Sequence, residues 1–227
     1  MGTILLSLAL IVALSASLNR CKTFGYSKKK AIILTLLTCA YSCAGVKLLY
    51  ILENIGKPIV FGLSGVSFYG AMFFLPIGLL ITSLVTKDKF LDYMDFLGPY
   101  NISTLGIMRI GCYISGCCSA HKIILMNRQL VPPIQLIEAT LDIGLFFFLI
   151  LYEKYANDKT KGLQYPRMLI AYSFIRMVME CFREAPVNFC GLTNGQWFSI
   201  IAFVAGCIMT VIIRNLKTTK SETQKKK

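Results

Sequence analysis

Leu105-Gly-Ile-Met-Arg-Ile-Gly-Cys-Tyr-Ile114 is a run of mostly apolar residues interrupted by one arginine. Met168-Leu-Ile-Ala-Tyr-Ser-Phe-Ile-Arg-Met-Val-Met-Glu180 repeats the pattern around Arg176. A guanidinium keeps its proton in a protein, and a charged side chain at the centre of a bilayer costs at least about 2.5 kcal/mol on insertion scales. Arg109 and Arg176 therefore predict polar partners or a wet cavity inside a membrane protein, and they mark its candidate functional site.

The composition of the whole chain agrees with a membrane protein. Its 227 residues are 56% hydrophobic and 15% charged, with a mean hydropathy of +0.64, and this combination excludes an ordinary soluble domain. Because a spanning helix needs roughly 20 apolar residues, the pattern predicts one all-α transmembrane domain over residues 1–216, a bundle of about seven helices. The predicted spans are 2–18, 31–52, 66–86, 96–115, 134–152, 167–182 and 197–213.

Basic residues in the loops predict the orientation of this bundle. Lysine and arginine are retained on the cytoplasmic side of a membrane, and they concentrate in every second loop and in the tail. The amino terminus is therefore predicted outside and the carboxyl terminus in the cytoplasm. The net charge of +13 then reflects topology and attraction to membrane lipids, and it predicts no nucleic acid partner. The Lys-rich segment 217–227 is predicted to be a disordered cytoplasmic tail.

Polar residues recur along one face of the sixth span. Tyr172, Arg176, Glu180 and Arg183 follow each other at spacings of four, four and three, which places them on one side of a helix and lets Glu180 pair with either arginine. A salt-bridged seam that only holds the bundle together would give the same pattern. Other spans also carry polar groups near their outer ends, which favours a functional site. These groups are Arg109, Gln135, Glu138, Gln196 and the segment 62–70.

Guanidinium groups beside apolar helices suit an amphiphile with an anionic head group. Arginine binds phosphate oxygens as a bidentate fork, whereas lipid tails stay in hydrocarbon. A phospholipid is therefore the predicted ligand. The run Gly62-Leu-Ser-Gly-Val-Ser-Phe-Tyr-Gly70 suits close approach of the backbone to a ligand or to another helix.

The nine cysteines do not predict a disulfide framework, because several lie inside predicted spans. Cys112, Cys117, Cys118 and His121 form the pattern Cys-x4-Cys-Cys-x2-His at the outer end of the fourth span. Such residues can bind a metal, but this spacing departs from the usual pairs and a buried cysteine commonly acts as a small hydrophobe. We predict no metal here, and a disulfide from Cys112 to Cys117 or Cys118 stays open.

Five motifs in order resemble the bacterial prolipoprotein diacylglyceryl transferase family, from about residue 40 to residue 205. The run from Gly62 to Gly70 resembles its glycine-rich loop. Met108-Arg-Ile-Gly-Cys-Tyr-Ile-Ser-Gly-Cys-Cys118 stands where its signature Gly-Arg-x-Gly-Asn-Phe-x-Asn-Gly-Glu is expected. The chain is identified as a member with a variant Gly-Cys-Cys signature. The remaining motifs are Pro133-Ile-Gln-Leu-Ile-Glu138, Tyr172-Ser-Phe-Ile-Arg-Met-Val-Met-Glu-Cys-Phe-Arg183 and Leu192-Thr-Asn-Gly-Gln-Trp-Phe-Ser199.

The resemblance implies a multi-pass enzyme of the bacterial cytoplasmic (inner) membrane that needs no cofactor. It would transfer the diacylglyceryl group of phosphatidylglycerol to the lipobox cysteine thiol of a preprolipoprotein and release glycerol phosphate. The same resemblance makes Arg109, Arg176 and Tyr69 the catalytic candidates. The candidates for substrate binding are Ser67, Gly70, Gln135, Glu138, Tyr172, Glu180, Arg183 and Gln196.

Departures from the family pattern leave the proton acceptor open. Tyr69 stands where the family has a histidine, and a phenol, whose ordinary pKa is about 10, accepts protons poorly near neutral pH. Tyr69, His121, Glu138 or the positive potential of the arginines could each promote thiolate formation. Two other functions stay open: transfer from a phospholipid to a different acceptor, and a non-enzymatic lipid- or metal-binding membrane protein.

Overall fold

The structure is a computed structural model that describes residues 2–55, 68–117, 120–121, 123–125, 128–156, 162–187 and 189–225. Helices make up most of these residues. They follow the predicted spans in order and differ from them by a few residues at most ends, since the ends of a helix are its least predictable part. The helices are α1 (Gly2–Arg20), α2 (Lys28–Glu53), α3 (Phe68–Thr86), α4 (Phe90–Ile114), α5 (Ile134–Ala156), α6 (Gln164–Glu180) and α7 (Asn194–Lys225).

Three helical segments in the described part of the chain are long and apolar enough to cross a membrane. They are Lys28–Leu52, Ile134–Ala156 and Asn194–Leu216. Two shorter apolar helical segments are Ile4–Arg20 and Phe74–Thr86. The helical membrane character predicted from hydropathy is confirmed at this level, whereas the number of spans and the orientation of the termini stay predictions.

A small β-hairpin lies between α4 and α5, an element that the prediction of an all-α bundle did not include. Its strands are β1 (Ile123–Leu125) and β2 (Arg128–Leu130), which pair antiparallel. Isoleucine at 123 and 124 favours extended backbone, but strands of three residues are too short to give a recognisable alternation in the sequence.

The last helix is longer than predicted. α7 continues to Lys225, through most of the segment for which we predicted disorder. Lysine, glutamate and glutamine are good helix formers, and adding a residue to an existing helix is far easier than starting one. The apolar residues before position 217 provide that existing helix.

The chain forms two compact units, Gly2–Leu97 and the residues from Gly98 onwards. In the first unit, α2 and α3 approach closely at two glycines. A Cβ on Gly70 would lie 2.8 Å from the Cα of Val46, and a Cβ on Gly45 would lie 3.0 Å from the carbonyl carbon of Gly70. Small residues permit this kind of close crossing between membrane helices.

An ion pair joins the start of α2 to the turn between α3 and α4. Lys30 Nζ lies 2.8 Å from Asp88 Oδ2, and the Tyr93 hydroxyl donates to the same carboxylate. These donors lower the pKa of Asp88 to about 2, with the hydrogen bond from Lys30 as the largest cause. The ammonium group also lies 4.4 Å from the centre of the Tyr26 ring, so the cation is held by both charge and aromatic contact.

In the second unit, glycines let α4 and α7 approach their neighbours. A Cβ on Gly106 would lie 3.1 Å from the Ala139 carbonyl oxygen and 3.2 Å from the Cβ of Asp142, so α4 crosses α5 at this point. A Cβ on Gly206 would lie 3.1 Å from the Pro166 carbonyl oxygen, so α7 similarly crosses α6. These crossings bring α4, α5, α6 and α7 together, which are the helices that carry the predicted polar residues.

Candidate active site

Glu138 is the centre of a buried cluster of charges in the second unit. Its side chain is 0% exposed. Arg109 Nη2 lies 3.0 Å from Oε1, Arg176 Nη1 donates to Oε1 at 3.1 Å, and Arg183 Nη2 donates to Oε2 at 3.2 Å. One carboxylate of α5 is therefore shared by guanidinium groups from α4, from α6 and from the residues just after α6.

Glu180 binds two of these arginines from its own end of α6. Arg176 Nη2 lies 2.7 Å from Glu180 Oε2, and Arg183 Nη1 lies 4.0 Å from the same oxygen. The hydroxyl of Thr193 donates to Oε1 at 2.9 Å. A Cβ on Gly195 would lie 2.5 Å from Cδ of Glu180, so only glycine lets the first turn of α7 rest against this carboxylate.

The charges of the cluster do not cancel. Arg109, Arg176 and Arg183 carry three positive charges, whereas Glu138 and Glu180 carry two negative ones, which leaves one positive charge in excess. Both Arg109 and Arg176 have side chains that are 9% exposed. Because charges interact more strongly out of water, this arrangement can bind one anionic group.

Gln135 fixes the turn at the end of α4 to the start of α5. Its Nε2 donates to the Cys117 carbonyl oxygen at 2.7 Å. The turn itself ends the helix with Gly116 at φ +67°, the Cys117 amide bonded to the Cys112 carbonyl and the Gly116 amide bonded to the Tyr113 carbonyl. This is the Schellman pattern of a helix end, and it explains why glycine stands before the cysteines of the variant signature.

The cysteines of that signature are thiols where the structure describes them. Neither Cys112 nor Cys117 is part of a disulfide, and Cys118 lies outside the described residues. Among the described residues, no group of three or more His, Cys, Asp or Glu side chains is placed to hold a metal ion.

The segment after the signature folds against the end of α6. The His121 amide donates to the Phe182 carbonyl oxygen at 3.0 Å, and Ala120 forms a β-bridge with Arg183. The imidazole is 61% exposed, and its Nδ1 lies 3.8 Å from Glu184 Oε1. His121 thus lies at the solvent-exposed rim of the cluster, next to the backbone of one of its arginines.

Gln196 has a structural role that the sequence analysis did not assign. Its side-chain Oε1 accepts a hydrogen bond from the backbone N–H of Thr193 at 3.0 Å, and the backbone N–H of Gln196 donates to Thr193 Oγ1 at 3.2 Å. This reciprocal pair is a capping box at the start of α7. Thr193, which also binds Glu180, is a residue of the site that the sequence analysis missed although Thr-x-x-Gln is the usual signal.

The remaining candidates are placed as follows. Tyr172 lies one helical turn before Arg176 on α6 and is half-buried. Gly70 is in the first unit, where it packs on α2. Ser67 lies outside the described residues, and so does the side chain of Tyr69, whose backbone belongs to the first turn of α3.

Asp142 is a second residue that the sequence analysis missed. It follows Glu138 by one turn on α5 and is 0% exposed. Its two carboxylate oxygens are buried and have no hydrogen-bond partner among the described residues. A carboxylate four residues after Glu138 in an apolar span was the available signal, since ionisable residues within spans are functional candidates by default.

Comparison with known proteins identifies the family. The sequence profile described as prolipoprotein diacylglyceryl transferase matches residues 3–212. The chain is 30% identical to phosphatidylglycerol–prolipoprotein diacylglyceryl transferase 2 of Clostridium perfringens, over 97% of this chain and 93% of that protein. It is 24% identical to the phosphatidylglycerol–prolipoprotein diacylglyceryl transferase of Clostridium tetani, over 92% of this chain and 91% of that protein. The transferase predicted from the sequence motifs is confirmed, and the chain belongs to the prolipoprotein diacylglyceryl transferase family.

Proposed function

We propose that this chain transfers the diacylglyceryl group of phosphatidylglycerol to the lipobox cysteine thiol of a preprolipoprotein and releases glycerol phosphate. The names of its relatives supply the lipid and the class of acceptor. The observation that carries the proposal is the buried cluster of Arg109, Arg176 and Arg183 around Glu138. Its excess of one positive charge matches the single negative charge of a phosphodiester.

The reaction makes a demand that this cluster meets. The thiolate sulfur attacks the glycerol carbon that bears the phosphate, so a sulfur–carbon bond forms while the carbon–oxygen bond breaks. The electron pair of the broken bond stays on the phosphate oxygen, which gains negative charge. Fixed donors aimed at such a developing charge lower the barrier, because they need no reorganisation during the step.

Arg109 and Arg176 are the residues that we assign to the phosphate, and Arg183 supports them. Glu138 and Glu180 hold the three guanidinium groups in place before any substrate arrives. Gln135 fixes the signature turn next to Arg109, and Gln196 fixes the start of α7 on which Glu180 rests. From the family resemblance we assign Tyr172, Ser67, Tyr69 and Gly70 to substrate binding or catalysis.

We also propose the membrane setting predicted from the sequence. The chain is a single multi-pass domain of the bacterial cytoplasmic (inner) membrane, with the amino terminus outside and the carboxyl terminus in the cytoplasm. Its partners are phosphatidylglycerol, the lipobox peptide and surrounding membrane lipids. The charged cluster then lies near the outer ends of α4, α5 and α6, on the side from which a secreted preprolipoprotein is reached.

The test is rescue of a bacterium that is depleted of its own transferase. Parent, Arg109→Ala and Arg176→Ala are expressed at equal levels, and lipoprotein amino termini are analysed by mass spectrometry. Arg167→Ala is the matched control, because Arg167 also lies on α6 but stacks 4.7 Å from the Tyr152 ring. We expect diacylglyceryl modification with the parent and the control, and none with the two cluster variants.

Two results would contradict the proposal. Full modification of the lipoproteins by Arg176→Ala would mean that Arg176 takes no part in the transfer. A parent that is well expressed and matched to its own lipoprotein substrate and lipid, yet leaves the lipoproteins unmodified, would refute the transfer itself.

A further inference from the structure

Asp142 is a buried acid on α5 that forms no hydrogen bond with the described part of the chain. Glu138, one turn earlier on the same helix, binds three guanidinium groups. Asp142 is equally buried, yet neither of its carboxylate oxygens has a hydrogen-bond partner among the described residues. A buried carboxylate without partners destabilises a protein, so a purely structural role does not explain it.

Its position relates it directly to the arginine cluster. Asp142 faces α4 at Gly106, where an added Cβ would lie 3.2 Å from its own Cβ. One turn further along α4, Arg109 meets Glu138, so the two helices pass each other with opposite directions. The charged and titratable groups that act on Asp142 are Glu138 from α5, Arg109 from α4, and Arg176 and Tyr172 from α6.

Depth along α5 separates the two acids. The helix begins at Ile134, so Glu138 lies about one turn and Asp142 about two turns from that end, some 5–6 Å apart. A phosphate bound by the arginines would lie at the level of Glu138. The glycerol carbon and the acyl chains of the lipid would then extend towards the middle of the bundle, which is the level of Asp142.

We propose that Asp142 is the catalytic base that takes the proton of the lipobox thiol, an inference that rests on the proposed function. In a displacement at carbon, the sulfur approaches from the side opposite the departing phosphate oxygen. With the phosphate on the arginines, that side is deeper in the bundle, where Asp142 lies.

The step balances without any further reactant. The Asp142 carboxylate accepts the thiol proton, and the sulfur forms its bond to the glycerol carbon as the carbon–oxygen bond breaks. The departing glycerol phosphate holds the released electron pair and then receives the proton from Asp142. The carboxylate is restored for the next cycle, and the thiol proton leaves on the product.

The other acids and bases of the site are less suited to this role. The oxygens of Glu138 are occupied by three arginines. His121 is 61% exposed at the rim and lies beside Glu184. Asp142 is buried, lies next to the cluster and has no hydrogen-bond partner among the described residues. Its carboxylate is therefore the proton acceptor that the geometry favours.

The experiment compares two lipobox peptides with purified full-length chain in phosphatidylglycerol-containing vesicles. One peptide carries the natural cysteine, and the other carries selenocysteine, whose selenol is already ionised near neutral pH and needs no base. Asp142→Asn keeps the size of the side chain but cannot accept the proton. Asp142→Glu keeps the acid, and Thr140→Ala is the control from an exposed position on the same helix.

We expect Asp142→Asn to lose about 100-fold or more in kcat with the cysteine peptide and to approach the parent rate with the selenocysteine peptide. Its stabilisation by phosphatidylglycerol against heat should match that of the parent, and Asp142→Glu should recover part of the kcat. Thr140→Ala should behave as the parent with both peptides.

Three results would overturn the assignment. A kcat of Asp142→Asn within threefold of the parent value with the cysteine peptide would mean that the substitution removes no catalytic base. Equal slowing on both peptides, or loss of the lipid-induced stabilisation by both Asp142 variants, would mean that Asp142 supports the structure only. A parent that modifies neither peptide would refute the proposed transfer, and the assignment of a base would fall with it.

Discussion

Glu138→Gln tests whether one buried carboxylate holds the arginine cluster together. The substitution keeps the shape of the side chain and one carbonyl acceptor, but it removes the negative charge that three guanidinium groups share at 3.0–3.2 Å. Those groups cannot lose their protons. The variant therefore leaves three positive charges in the cluster against the one negative charge of Glu180, an excess of two.

The expected loss of unfolding free energy depends on the burial of Glu138 and on the ion pair that Glu180 still forms in the variant. Removing one partner of a buried ion pair costs about 3–5 kcal/mol, and Glu138 is 0% exposed. Glu180 still binds Arg176 at 2.7 Å, so we expect the lower end, about 3 kcal/mol of unfolding free energy. If the same loss appears in binding of the transition state, transfer slows roughly 100-fold.

The assay measures unfolding free energy and lipobox-peptide modification for parent and variant in micelles that contain phosphatidylglycerol. Glu184→Gln is the matched control, because Glu184 pairs with His121 at 3.8 Å with both side chains more than half exposed. Such a pair contributes at most about 1 kcal/mol. Ordinary surface substitutions change the unfolding free energy by about 0.5 kcal/mol or less. If Glu138→Gln changes it by no more than that and modifies the peptide at the parent rate, the reasoning is refuted.

Two further predictions concern the contacts around the cluster and the turn between α3 and α4. Gly195→Ala should destabilise the chain by about 1–3 kcal/mol and lower transfer, because the new Cβ would overlap the Glu180 carboxylate; Gly144→Ala, which meets nothing within 4 Å, should be neutral or stabilising in the same thermal unfolding assay. Since the pKa of Asp88 falls to about 2 on folding, its contribution is complete above its ordinary pKa of about 3.9 and is lost as the pH falls towards 2. Because both side chains are 31% exposed, the Lys30–Asp88 ion pair should contribute less than about 1 kcal/mol to the unfolding free energy. Asp88→Asn should remove only the fall of the unfolding temperature between about pH 4 and pH 2 that this ion pair causes. The same fall in the variant as in the parent would contradict the assignment.

The sequence predicted the local parts of the site well. Spacing along α6 placed Arg176 and Glu180 one turn apart, and they form an ion pair of 2.7 Å. Hydropathy located the apolar helices, because each is long and its composition differs sharply from that of the loops. These features depend on neighbours within one helix, and residue order records such neighbours directly.

The contacts between helices were not predictable in the same way. Nothing in the order of residues indicates that Glu138 binds arginines 29, 38 and 45 positions away, because those pairings depend on how the helices cross. The crossings depend in turn on single glycines such as Gly106 and Gly195. A hairpin of three-residue strands was missed because it is too short to show a period.

Charge balance connects the proposed chemistry to the apolar setting. A bundle within a bilayer opposes net charge, and the one positive charge in excess on the cluster of three arginines and two glutamates offsets the charge of a bound phosphodiester. A phosphodiester brings one negative charge, and the thiol gives its proton to Asp142 as its sulfur becomes the nucleophile. The negative charge that Asp142 loses on taking this proton appears on the departing phosphate, which later takes the proton back from Asp142. At every stage the total charge of the site and its substrates stays the same, so the protein stabilises movement of charge over a few atoms and never has to bury additional charge.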